Sequence, residues 1–570
     1  MANPFVTFFN WVATTWKAAD AIGKINMIFT AVTAVVGVKG FLQARQMLAQ
    51  GQDILANKTS AGGKLPIIYG TRRVGSQIIY MDVNANNSQE LYVVYALSVG
   101  ECDEILGTSI ELDGNSLSDS ARFRIGGYIG SDKESIFTHH QPLNTVSQNG
   151  DPVEVTAGGF GTDPTDRYMY VMNLHHGAAS QTADPMLVAS MSNWTSAHRL
   201  DGVCYIAAHY NFDKRGMWSG IPQLTVQVRG KKVYDPRLDS TAGGSGSQRL
   251  GTPSTYAFSD NPSLTFLDYI TNNEYGKGLT ASQLNLSTFS TAANTADITV
   301  NNPYYNGTGK SFTWSGTSGK NFILVTASGS GGLHWWQNKV GELFTLTDSS
   351  SNTVLNGAQI TGVERTHIYG TGVRLVIYFD TTLGATYASQ TGTALAVVKR
   401  FHCNGYVDGN KTVMENSKEL LANMRGIFLY VDGKYELTIE DTGSSTFSIT
   451  DNHIIADAGI SVDYGNKDKK ANKVIVEFFN GNKKYELDTA TVLHDASPEY
   501  YSDDGDEILE IKAEFPFVSD PYIAYNMAKA ILVRSRNQTT MQFLGTPEMY
   551  KLNVGAVSYT HLTLPTTPYV

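Results

Sequence analysis

The sequence predicts a mainly β protein with α+β parts: several antiparallel β domains, a helical segment at the start and an inserted β module. Three observations lead there. Aromatic residues reach 11% and Tyr alone counts 30, while charged residues make up only 17%; aromatic side chains favour strands. After Pro66, β-branched and aromatic runs such as "QELYVVYALSVG" alternate with Gly, Asn and Ser, a pattern of strands and turns. Asp432-Gly433 and Asn480-Gly481 each lie between such runs, a strong short-range hairpin signal.

In chain order, residues 1–56 form the helical segment, because apolar residues and Ala dominate it. Within it, residues 25–38, "INMIFTAVTAVVGV", carry no charge. As a helix this run spans roughly 21 Å, short of the roughly 30 Å of a bilayer core. A buried helix is expected, with membrane contact the lesser alternative. Residues 57–66 read as a linker.

Residues 65–238 form a β-rich domain, in which "IPQLTVQVRGKKVYD" is the clearest strand. Leu224, Val226 and Val228 alternate there with Thr225, Gln227 and Arg229, as in a half-buried strand. Residues 239–296 connect onward through a flexible glycine-rich loop (239–256) and a helix. Asp260 or Asn261 is its N-cap, Pro262 its first turn, Leu264, Leu267 and Ile270 its apolar face, and Gly276 and Gly278 its end. Residues 297–399, crowded with Asn, Gly, Thr and Ser between short strands, form the inserted module. Residues 400–556 form an α+β domain, with a helix through Leu421 and Met424, the two hairpins, and a second helix in "PYIAYNMAKAILVRSR". Residues 557–570, "VSYTHLTLPTTPYV", differ in style from all that precedes them. Their back-translation resembles the transposase end and adapter of sequencing libraries. They are expected to be an assembly artefact, with Ala556 a hybrid codon and the natural chain continuing beyond Gly555.

Charge argues against a dedicated nucleic-acid binder: 43 basic against 53 acidic residues give a net charge of -10. The densest basic stretch, "RGKKVYDPR" (229–237), is read as an exposed strand end. Lys231 and Lys232 would solvate an edge and Asp235-Pro236 would end the ladder. In a sharper reading, Lys231, Lys232 and Arg237 mark a turn or a subunit contact with an acidic neighbour. Cys102, Cys204 and Cys403 are far apart and form no C-x-x-C, so buried free thiols are expected. His139-His140 and His175-His176-Gly177 are adjacent pairs, and neighbours on a strand face opposite ways. No metal site follows from them. "SDDGDEILE" (502–510) lacks the ligand spacing of a calcium loop and reads as a solvated turn. "GSGSQRLG" (244–251) follows no strand and opens no helix, so it is not a phosphate cradle. No catalytic, cofactor-binding or metal-ligating residue is assigned.

Seven stretches in order resemble the tip attachment protein J family of long-tailed bacteriophages: "LPIIYGTRRVGSQIIY" (65–80), "QELYVVYALSVGECDEILGTSIELDG" (89–114), "ADPMLVASMSNWTSAHRLDGVCYIAAHYNFD" (183–213), "GIPQLTVQVRGKKVYDPR" (220–237), "FSDNPSLTFLDYITNNEYGKGL" (258–279), "FHCNGYVDGNKTVMENSKELLANMRGIFLYVDGKYEL" (401–437) and "FPFVSDPYIAYNMAKAILVRSR" (515–536). The 297–399 insertion departs from the family pattern, and the family's far C-terminal receptor-binding region is absent. The resemblance implies a structural virion protein, made in the host bacterial cytoplasm and built into the tail tip. It would be a homotrimeric hub that closes the tail tube. Its partners would be other tail-tip and tail-tube proteins, the tape-measure protein and, through the missing C-terminal region, a host surface receptor. Tail assembly, host attachment and DNA ejection would be its roles, without enzymatic activity, cofactor or sequence-specific nucleic acid. The alternatives are a carbohydrate-binding surface adhesin, with Trp314, Trp335 and Trp336 stacking on sugars, and a cell-envelope hydrolase.

Overall fold

The structure is a computed structural model. It describes residues 64–551 and 558–560, except 86, 117–126, 132–135, 138–169, 213–219, 302–309, 327–342, 369–371, 441–446, 456–459, 464, 466 and 493–497. The expected N-terminal helical segment, with its apolar run 25–38, and the pair His139-His140 lie outside the described residues, as do Trp335 and Trp336. The chain divides into two compact units. One takes the described residues up to Ala293, His402–Asp520 and those from Met527 onward; the other takes Asn294–Phe401 with Pro521–Asn526.

The first unit opens with β1 (Ile67–Tyr69), β2 (Thr71–Val74), β3 (Gln77–Asn84), β4 (Asn87–Val99), β5 (Cys102–Leu112) and β6 (Asn115–Ser116). Then come β7 (Gly127–Ser131), β8 (Ile136–Phe137), β9 (Tyr170–His175), the short helix α1 (Pro185–Ser190), β10 (Val203–Asn211), β11 (Leu224–Val233) and β12 (Ala257–Phe258). Two sheets result, a six-stranded one in the order β3-β4-β10-β9-β7-β8 and a five-stranded one in the order β12-β11-β5-β6 with β2 also on β11. They pack through a shared core. Val93, Tyr95, Met172, Ile206 and Ala208 of the first sheet meet Ile105, Leu112, Leu224, Val226 and Val228 of the second. The alternation read in β11 is the inner face of this sandwich. The outer face of the six-stranded sheet is covered by Leu187, Met191 and Trp194, packed on Tyr92, Val94, Tyr205 and Ala207.

Pairing is mostly antiparallel, as expected, but β7 runs parallel to β9. Parallel partners are brought together by long connections that leave no turn motif in the sequence.

Helix α2 (Pro262–Thr271) is capped by Asn261, whose Oδ1 accepts from Ser263 N at 3.0 Å and Leu264 N at 3.4 Å. It does not present one apolar face: every residue from Pro262 to Ile270 is buried, Ser263, Thr265 and Asp268 included. It ends at Thr271, ahead of Gly276 and Gly278.

The second unit takes only the last residues of α3 (Leu286–Asp297) and the helical Pro521–Asn526, and is otherwise β. Its strands are β13 (Thr299–Asn301), β14 (Lys310–Gly316), β15 (Phe322–Thr326), β16 (Leu343–Thr347), β17 (Thr353–Ile368), β18 (Gly372–Phe379) and β19 (Tyr387–Lys399). The order β13-β19-β14-β15-β18-β17-β16, with β16 also on β19, closes six of them into an antiparallel barrel. Trp314, Ile323, Phe344, Leu346, Ile360 and Ile377 fill it.

The first unit resumes with β20 (Gly405–Val407), paired with β1, and α4 (Val413–Ala422). A reciprocal cap starts α4: Glu415 N donates to Thr412 Oγ1 at 3.2 Å and Thr412 N to Glu415 Oε2 at 2.8 Å. β21 (Gly426–Val431) and β22 (Lys434–Ile439) form the expected hairpin across Asp432-Gly433. β23 (Phe447–Ile449), β24 (Ile460–Asp463), β25 (Lys473–Asn480), β26 (Glu486–Val492), α5 (Pro498–Asp503), β27 (Glu510–Phe515), α6 (Pro521–Arg536), β28 (Thr540–Phe543) and β29 (Ser558–Thr560) complete the described chain.

Asn480-Gly481 does not make a two-residue turn. A 3-10 turn at Gly481–Lys483 is followed by Lys484 and Tyr485 in left-handed backbone, at φ 54° and 61°. The second hairpin is also not free-standing, because β27 adds to β25 in parallel. "SDDGD" is not merely a solvated turn: Asp504 Oδ2 accepts from Arg536 Nη1 at 2.8 Å and Asn472 Nδ2 at 2.9 Å.

Candidate functional site

The basic stretch 229–237 is the most distinctive chemistry in the sequence, and the structure places it inside, not at an edge. β11 has β5 on one side and β2 and β12 on the other. The expectation of an edge strand with solvated lysines is therefore corrected. Gly230 is needed where β11 crosses β1, because a Cβ there would lie 2.2 Å from the Ile68 carbonyl oxygen.

Each cation of the stretch has a carboxylate of the same chain. Arg229 Nε donates to Asp103 Oδ2 at 2.9 Å and its guanidinium lies 4.1 Å from the Phe258 ring centre. Lys231 Nζ donates to Asp268 Oδ1 at 2.5 Å, and Lys232 Nζ to Glu101 Oε1 at 2.7 Å. Arg237 grips Asp235 through Nε at 2.9 Å and Nη2 at 2.7 Å. The acidic neighbour expected for these residues is thus intramolecular.

Asp268 is the deepest of these partners. Its Oδ2 also accepts from Tyr69 Oη at 2.6 Å and Tyr275 Oη at 3.3 Å. Burial first, and then the Asp268 charge, push both phenols well above their ordinary range. The group therefore ties β1, β11 and α2 together while every hydroxyl keeps its proton.

The loop after β11 is not flexible but knotted. Asp239 Oδ1 accepts from Thr241 N at 2.7 Å and Arg249 Nη1 at 2.9 Å, and its Oδ2 from Tyr234 Oη at 2.7 Å. Gly244 packs so closely that a Cβ would lie 2.3 Å from the Arg237 carbonyl oxygen. Gly244 and Gly246 answer to close packing, whereas Gly243 and Gly251 stand in open space with positive φ.

A second seam of charge joins β2 to the β25–β26 turn. The Arg72 guanidinium is buried, 3.9 Å from the Phe479 ring centre and 5.3 Å from that of Tyr485. Its Nε and Nη1 have no hydrogen-bond partner among the described residues, and burial pushes its pKa down to about 10. Beside it, Glu111 meets Arg73 at 3.5 Å and Lys484 at 2.8 Å.

His175 is engaged within its own chain. His175 Nε2 lies 2.8 Å from Asp184 Oδ2 and its ring stacks on Tyr205 at 4.3 Å. Asp184 also accepts from Asn173 Nδ2 at 2.8 Å and caps α1 through Leu187 N at 2.9 Å. It serves as a structural anchor, a role that sequence spacing did not reveal. Among the described residues, no three His, Cys, Asp or Glu side chains gather as metal ligands. Cys102, Cys204 and Cys403 are buried free thiols. Trp314 is a core residue whose Nε1 donates to the Thr347 carbonyl at 3.2 Å. No described helix is long and apolar enough to cross a membrane.

No protein-family model matches the chain. Over 264 residues it is 24% identical to the baseplate hub protein pb3 of Escherichia phage T5, a match covering 41% of this chain and 25% of that protein. The chain thus spans about a quarter of the length of that relative. Among solved structures, a chain of the virion of a native gene transfer agent particle aligns over 90% of this chain and 81% of its own length, at 12% identity and a TM-score of 0.44. A 43 kDa tail protein of prophage MuSo2 from Shewanella oneidensis aligns over 44% of this chain and 84% of its own, at 10% identity and a TM-score of 0.19. The prophage tail protein gp18 from Listeria monocytogenes aligns over 40% and 72%, at 10% identity and a TM-score of 0.16.

Proposed function

We propose that this chain is a structural protein of a phage tail, built into the virion as the central hub of the tail tip. The observation that carries this is the 264-residue similarity to a phage baseplate hub protein. The chemistry of the chain supports it. The cations of its densest basic stretch are each held by an internal carboxylate, which leaves them as joints between elements. The finer reading, a J-type hub, is a homotrimer that closes the tail tube and meets other tail-tip, tail-tube and tape-measure proteins. It acts in tail assembly, host attachment and DNA ejection, and it is not an enzyme.

Labelling particles with an antibody raised against this chain, read by electron microscopy, tests the proposal. Label confined to the tail tip is expected. Label on the capsid, or particles that lack the chain, would overturn it.

A further inference from the structure

β3 ends the six-stranded sheet, and among the described residues no strand pairs with its outer side. Its burial pattern is inverted. Tyr80 and Asp82 face the covered side, where Tyr80 Oη donates to Asn193 Oδ1 at 2.6 Å and Asn193 Nδ2 donates to Asp82 Oδ2 at 3.1 Å. Ile79, Met81 and Val83 face outward, 41%, 48% and 47% exposed. Antiparallel sheets ordinarily turn polar residues to water.

Edges are normally blunted by Lys, Pro or short length, since their unpaired N–H and C=O groups recruit other strands. β3 is eight residues long, "QIIYMDVN", and has neither Lys nor Pro. Its register with β4 shifts between Ile78 and Tyr80 and again between Val83 and Asn84, and the run Tyr80–Val83 between them is regular. Met81 and Val83 lie opposite Val93 and Leu91 of the sandwich core, so the exposed row continues the core face.

We propose that β3 pairs antiparallel with β3 of a second copy of this chain, about a two-fold axis at Met81. The sequence Ile79-Tyr80-Met81-Asp82-Val83 complements itself in that register. Ile79 meets Val83 of the second copy and Met81 meets Met81, apolar on apolar. Tyr80 meets Asp82, a phenol ring beside a carboxylate, while each Tyr80 hydroxyl stays on Asn193 of its own copy. The neighbouring registers are worse. Centring on Asp82 sets two carboxylates face to face, which is destabilising. Centring on Tyr80 sets Asp82 against Ile78. An isologous contact joins copies in pairs and cannot close a ring of three. It is a state of the free chain and does not rest on the tail reading.

The test uses the full chain with Met81→Cys under mild oxidation. Residues directly opposite in an antiparallel pair have Cα atoms about 4.5–5.5 Å apart, within disulfide reach. The native thiols Cys102, Cys204 and Cys403 are buried. A disulfide-linked dimer is expected for Met81→Cys, none for Ile79→Cys or Val83→Cys alone, and a dimer again when those two are combined. Met81→Lys should raise the dimer dissociation constant at least tenfold by sedimentation, with an unchanged circular dichroism spectrum. A wild-type chain that sediments as a monomer at micromolar concentration overturns the proposal, as does equal crosslinking of all three single variants. Tip labelling can fail while this pairing stands, and the reverse.

Discussion

The Lys231 ammonium lies 2.5 Å from the Asp268 carboxylate, and the two side chains are only 16% and 6% exposed. A pair so placed differs from an exposed one such as Lys467–Glu507, whose side chains are 59% and 60% exposed. Exposed pairs contribute about 0–1 kcal/mol, whereas removing one partner of a buried pair costs about 3–5 kcal/mol, because the other charge is left uncompensated. Burial, not proximity, decides between the two.

Lys231→Met should therefore destabilise the first unit by about 3–5 kcal/mol. Lys467→Ala should cost less than about 1 kcal/mol. Combining Lys231→Met with Asp268→Asn should restore much of the loss, because neither charge then remains buried and an amide oxygen still accepts from Tyr69 and Tyr275. Urea denaturation followed by circular dichroism reads all three. A double variant as weak as the sum of its single variants would refute the pairing argument.

Arg72 sets two terms against each other. Burying a cation without hydrogen-bond partners is costly, and a desolvated cation–π contact returns only about 2 kcal/mol. The first term is the larger, so Arg72→Met, apolar and able to fill irregular space, should not lower stability. Phe479→Ala should lower it by about 2 kcal/mol, since it strips the cation of its nearest ring. Thermal unfolding midpoints compare the two variants. A marked loss in Arg72→Met would show that the stack outweighs the desolvation.

Local rules explain which parts of this fold were legible in the sequence. The alternation of β11, the Asn261 cap and the Asp432-Gly433 hairpin depend on neighbours a few residues apart. The partners of the basic stretch do not: Asp268 lies 37 residues from Lys231, and Glu101 lies 131 from Lys232. No periodicity encodes such a pairing, so Lys231 read as a solvated edge residue. The parallel addition of β27 to β25 is equally non-local. β17 is not legible as one long strand, because Asn, Gly and Thr interrupt its sixteen residues, "TVLNGAQITGVERTHI". That Gly244 and Gly246 serve close packing depends on the Arg237 and Leu238 carbonyls they meet, which lie outside any local pattern.

The parallel register of β25 and β27 sets Glu477 beside Glu514. Burial first, and then the Glu477 charge, hold the Glu514 carboxyl up at about 7, with Lys411 opposing. The ordinary value is 4.5. Between these values the folded chain keeps a proton that the unfolded chain has lost, so stability falls as pH rises through this window and levels off above it. Glu514 is only half buried, and solvent screening reduces the effect to about 1–2 kcal/mol. Glu514→Gln removes the titration. It should match the wild-type unfolding midpoint below the window and exceed it at mildly alkaline pH. An equal gain on both sides of the window would mean that the substitution improves packing and that the carboxyl pair does not govern the pH response.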